Sequence, residues 1–181
     1  MRLLLLISSC LLVLCSADFC GTNKVPYGFE AHKDGGVALL CTRPECHEKK
    51  FAVSDCPERA EEKQCLRNTS WVGGLQKRAD GKLELMCCDY DLLPKYGHLI
   101  YENVIVRPGE FFEGEEKKDQ NDEVIAFDLI TNIHKGRDIK GEFYSLRIHR
   151  FDCGKIPDKV PLWYKQKQWP FWPREDSDKQ L

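Results

Sequence analysis

Glu142-Phe143-Tyr144-Ser145-Leu146-Arg147-Ile148-His149-Arg150-Phe151 decides the fold class, because its apolar residues recur at alternate positions. Tyr144, Leu146 and Ile148 fall on one face and Ser145, Arg147 and His149 on the other, which is the period of a half-buried strand. Three runs upstream behave alike: Lys82 to Tyr90, Leu99 to Val106, and Glu123 to Ile130, where Ile125, Phe127 and Leu129 alternate with Ala126 and Asp128. The connectors Arg107-Pro108-Gly109 and His134-Lys135-Gly136-Arg137-Asp138 carry turn residues and charge, and the second is placed to join two hairpin strands. The expected fold is mainly β, with a β-rich α+β arrangement as the alternative: a disulfide-stapled antiparallel sheet domain with a cysteine-rich N-terminal part and an extended aromatic C-terminal tail.

Outward from this region the pattern changes in both directions. Asp18 to Glu62 is rich in cysteine, glycine and proline, and its only convincing strand is Gly36 to Thr42, stopped by Arg43-Pro44-Glu45. Beyond Cys153 the chain gathers four of its nine prolines and three of its four tryptophans without any helical or alternating period. Met1 to Ala17 has one early cation, an apolar stretch too short to span a bilayer, and small residues at its end, the signature of a secretory signal peptide. The chain therefore divides into a signal peptide (1–17), a cysteine-rich β domain (18–153) and a proline- and tryptophan-rich tail (154–181). No later stretch is apolar enough for an integral membrane segment, so a secreted, extracellular protein is expected.

Of ten cysteines, the leader carries Cys10 and Cys15. Cys20, Cys41, Cys46, Cys56, Cys65, Cys87, Cys88 and Cys153 remain, an even set that predicts four disulfides in an oxidising compartment. Pairing is open among 105 connectivities. Cys87 and Cys88 end the alternating run Leu83-Glu84-Leu85-Met86, so their side chains should face opposite ways and take different partners.

With 42% hydrophobic and 31% charged residues and a formal net charge of −2, the chain is neither disordered nor a nucleic-acid binder. Hydrolase elbows, phosphate loops and zinc-protease motifs are absent, which argues against an enzyme and against a cofactor. Cys41 to His47 could offer thiolates and an imidazole to zinc, but secretion favours disulfides over thiolate coordination. The carboxylates from Glu110 to Glu123 lack calcium-loop spacing and are interrupted by Lys117 and Lys118, so they read as a solvated loop. Asn68-Thr69-Ser70 is an N-glycosylation sequon in a polar stretch. In the tail, Trp163, Tyr164, Trp169, Phe171 and Trp172 are interleaved with Lys165, Lys167 and Arg174, a composition suited either to a partner contact or to a lid over the core.

Taken together, Cys20-Gly21-Thr22-Asn23, Val25-Pro26-Tyr27-Gly28, Leu40 to Cys46, Ser70-Trp71-Val72-Gly73-Gly74, Leu85 to Tyr90 and Pro108 to Glu116 resemble the secreted N-terminal domain of the warthog family of nematode hedgehog-related proteins. The resemblance implies a non-enzymatic intercellular signal in developmental patterning of epidermis and cuticle, acting through an extracellular receptor or matrix component. The alternative within the same setting is a structural component of cuticle or apical matrix. Full-length relatives carry a C-terminal autoprocessing module. The stretch after Cys153 is too short for it, so self-cleavage is not expected here, nor are the zinc and calcium sites of true hedgehog domains.

Overall fold

The run that opened the sequence reading forms β10 (Gly141–Phe151), and its alternation is realised: Tyr144, Leu146 and Ile148 are buried while Ser145, Arg147 and His149 are only partly covered. The computed structural model describes residues 16–46 and 54–156. Nine further strands accompany β10: β1 (Ser16–Phe19), β2 (Val25–Ala31), β3 (Val37–Thr42), β4 (Ser70–Lys77), β5 (Leu83–Asp89), β6 (Gly97–Val106), β7 (Glu110–Glu113), β8 (Glu116–Lys118) and β9 (Val124–Asp138). A short helix, α1 (Leu93–Tyr96), precedes β6, and a 3-10 turn (Cys153–Lys155) follows β10. The strands make three antiparallel sheets, ordered β1-β4-β5, β6-β10-β9-β8 and β3-β2-β7.

Two buried clusters lie between the sheets. The first joins Phe29, Val37, Val72, Leu75, Leu85, Ile130, Ile133, Tyr144, Leu146 and Ile148, so every sheet contributes to it. The second is aromatic: Trp71, Tyr90, Phe127 and Phe151 sit with ring centroids 5.0 to 5.5 Å apart in tilted contacts, a geometry that adds to simple area burial. Phe29 against Tyr144, 5.0 Å apart, joins the β2 and β10 sheets.

The sequence-derived strand limits need correction at β9. His134 to Asp138 is not a connector; it continues β9 and pairs with Gly141 to Ser145, leaving Ile139 and Lys140 as the turn. Side-chain packing explains the extension. Gly136 faces Phe143, whose ring fills the space a Cβ would need, at 2.4 Å. Lys135 meets Glu142 at 3.1 Å and the carbonyl of Gly81 at 2.8 Å. The first half of β9 also departs from simple alternation, because Ala126 to Ile133 is buried on both faces. The acidic run is only partly a loop: β7 and β8 occupy much of it, and Asp119 closes the turn that follows by accepting from the backbone N–H groups of Asn121 (2.8 Å) and Glu123 (3.0 Å). Strands β1, β2, β4, β7 and β8 were not foreseen.

Candidate functional site

The register shifts of β10 against both of its neighbours in the four-stranded sheet gather at one place. β10 shifts register against β6 between Leu146 and Ile148 and again between Ile148 and His149, and against β9 between Arg147 and Ile148. On β9 the extra residue is Thr131. Bulges re-aim side chains and often lie beside functional sites. Here the bulge brings the Thr131 hydroxyl to the Arg147 carbonyl, to which it donates at 3.2 Å, and to His149 Nδ1 at 2.8 Å. Either the Thr131 hydroxyl or His149 Nδ1–H donates in this contact, so Nε2 accepts in one ring tautomer and donates in the other.

Against this face lies the segment Cys65 to Ser70. Cys65 is anchored by its bridge to Cys87 and by donating its backbone N–H to Asn132 Oδ1 at 2.9 Å. The chain then turns, with the Ser70 N–H donating to the Arg67 carbonyl at 3.1 Å and its hydroxyl to the same oxygen at 2.9 Å. Asp89 holds the turn from the side: it accepts from Thr69 Oγ1 at 2.9 Å and pairs with the Arg67 guanidinium at 3.0 Å. Leu93, Pro94 and Gly97 complete a groove of about 330 Å³, together with Cys65, Leu66, Arg67, Asn68, Ser70, Thr131, Arg147 and His149. Gly97 has no room for a side chain, since a Cβ would stand 2.7 Å from the Leu93 carbonyl.

The charges of the groove are internally matched. Arg147 donates twice to Glu102, at 3.1 and 2.6 Å, as Arg67 pairs with Asp89. Burial first, and the Arg147 guanidinium second, hold the His149 imidazole below its ordinary pKa. What remains is the free edge of an imidazole held toward its neutral form, a buried hydroxyl and an apolar wall.

A second cleft of similar size lies between Tyr27, Thr42, Glu113 to Glu116, Phe127 and Asp128. Its strongest groups are consumed in holding sheets together. Asp128 is 3% exposed and takes a bidentate contact from Arg150 at 2.7 and 3.0 Å and the backbone N–H of Glu115 at 3.1 Å. A Cβ on Gly114 would meet Asp128 Cβ at 2.8 Å and the Tyr27 carbonyl at 2.9 Å, so the link from β7 to β8 passes this point only as glycine. Burial, and then Glu113, push the Tyr27 phenol above its ordinary range.

The eight cysteines resolve into Cys20–Cys41, Cys46–Cys153, Cys56–Cys88 and Cys65–Cys87. The expectation that Cys87 and Cys88 take different partners is met. Asn68 is exposed at the tip of its turn. Trp163, Tyr164, Trp169, Phe171 and Trp172 lie outside the described residues. The grouping of Thr131, Arg147 and His149 with Arg67 was not foreseen; the only trace in the sequence is that Arg147 and His149 share the polar face of β10.

Comparison with known proteins places this architecture. A profile of the Warthog N-terminal signalling domain matches residues 17–154. Warthog protein 5 of Caenorhabditis elegans is 54% identical over 157 residues, covering 86% of this chain and 88% of its own length. Warthog protein 3 of the same organism is 45% identical over 158 residues, with coverages of 86% and 87%. Warthog protein 1 is 24% identical over 174 residues, 74% of this chain and 35% of its own length. No solved structure matches.

Proposed function

Because the chain belongs to the warthog family of nematode hedgehog-related proteins, we propose that it is a secreted, non-enzymatic intercellular signal that acts through an extracellular receptor in patterning of epidermis and cuticle. The observation that carries this reading is the match of a signalling domain to residues 17–154. Four disulfides accord with an oxidising compartment, and among the described residues no helix is long and apolar enough to cross a membrane. In this reading Asn68 receives an N-glycan as the chain passes through the secretory pathway. The aromatic stretch from Trp163 to Trp172 supplies a partner contact. The test is to tag the protein in its own tissue and follow the secreted form. Saturable attachment to cells by a soluble species is expected. Accumulation in insoluble cuticle layers would instead assign it to the matrix.

A further inference from the structure

The geometry points to an occupant for the groove beside β10: the first N-acetylglucosamine of a glycan on Asn68, seated against Leu66, Pro94 and His149. The inference rests on the secreted reading, since only a chain that enters the secretory pathway meets the glycosylation machinery.

Three observations support it. First, Asn68 is both the sequon residue and part of the groove's rim, so an attached sugar starts at the mouth of the groove. Its turn is fixed on both sides, by the Cys65–Cys87 bridge and by Asp89 holding Arg67 and Thr69. A sugar on so constrained a stem loses little further freedom on docking. Second, the wall chemistry is that of a neutral amphiphile. Leu66 is 72% exposed, an isolated large apolar side chain next to the sequon, and it faces an N-acetyl methyl and sugar C–H groups without cost. With Nδ1 committed to Thr131, His149 Nε2 is left to pair with a sugar hydroxyl, which serves either ring tautomer because it both donates and accepts. Third, the charges argue against an anionic ligand. Arg67 and Arg147 each already hold a carboxylate, Asp89 and Glu102, so a phosphate or sulfate would meet guanidinium groups whose charge is already matched and carboxylates that repel it.

The experiment uses the full chain secreted from a eukaryotic host, with its glycan trimmed enzymatically to a single N-acetylglucosamine and with Asn68→Gln as the sugar-free comparison. NMR should show cross-relaxation between the N-acetyl methyl and protons of Leu66, Pro94 and the His149 ring, and Leu66→Ser should remove the apolar part of this pattern while leaving the protein spectrum otherwise folded. The His149 ring resonances should differ between the trimmed and sugar-free forms. A first sugar with the mobility of a free glycan and no such contacts overturns the inference. So does a secreted chain whose Asn68 is bare, and that result leaves the secreted reading standing. A chain that never leaves the cell overturns both.

Discussion

Gly73 and His149 show how much single positions carry. Gly73 is the extra residue of a bulge in β4, between Val72, which pairs with Cys87, and Gly74, which pairs with Met86. A Cβ there would stand 2.0 Å from Cys88 Sγ. Gly73→Ala therefore competes directly with the Cys56–Cys88 bridge, and alkylation followed by mass analysis should find thiols at these two positions; a fully bridged variant would show that the strand can yield. His149 controls a pH response. Its folded pKa is depressed, mainly by burial, so below the ordinary histidine value of about 6.5 the unfolded chain binds a proton that the fold resists. Stability is highest above that value and declines as pH falls through the depressed folded pKa. His149→Asn should remove this part of the decline. Urea midpoints measured for both proteins at neutral and mildly acidic pH decide it, and equal pH slopes would count against the assignment.

Among the elements, β9 and β10 carry the fold, and Asp128 locks them to β8. Its carboxylate binds Arg150 of β10 and the N–H of Glu115, while its own N–H donates to the Glu115 carbonyl at 2.9 Å. Asp128→Ala leaves the Arg150 guanidinium, 22% exposed, with only Glu115 at 3.6 Å, and should destabilise the protein by about 3 kcal/mol in denaturant titration. A loss under about 1 kcal/mol would mean that Glu115 takes over the pair. Element by element, legibility in the sequence followed burial pattern. β6 and β10 could be read because one face is more covered than the other, and β5 from its Leu83-Glu84-Leu85 alternation, although Leu85 to Cys88 is buried on both faces. β4 could not, since Ser70 to Leu75 is buried throughout and two glycines interrupt it. β2 was hidden by Pro26 and Gly28, which sit at a register shift where a missing N–H and a missing side chain are tolerated. The second half of β9 was hidden because it is polar and glycine-bearing, and only its contacts with β10 and the Gly81 turn make it a strand. For the site, the sequon marked Asn68, but the approach of Thr131 to His149 depends on a one-residue bulge that no local pattern announces.

At the scale of the molecule the four bridges differ in what they restrain. Cys46–Cys153 spans 107 residues and Cys20–Cys41 spans 21. In the chain-entropy account the longer loop is worth about 1.4 kcal/mol more to the folded state. Replacing Cys46 and Cys153 together by serine should therefore cost more than the same change at Cys20 and Cys41, as read by chemical denaturation of the purified, oxidised protein; the reverse order would place native strain above chain entropy. The connectivity also governs what a protease can do. Cys20–Cys41 and Cys46–Cys153 close two successive covalent rings, and both remaining bridges lie inside the second. A cut within either ring leaves the fragments tethered. A single cut parts them only in the spacer Thr42-Arg43-Pro44-Glu45, after which β1 to β3 are held without a covalent link, by the ladders of β1 to β4 and of β2 to β7, by hydrogen bonds such as that of the Ser54 N–H to the Thr22 carbonyl, and by their buried faces. The basic residue of that spacer precedes a proline, whose locked φ and missing N–H suit a trypsin-like cleft poorly. Between Cys20 and Cys153 a single cut thus separates the protein covalently only in a spacer whose one basic residue a trypsin-like protease handles poorly.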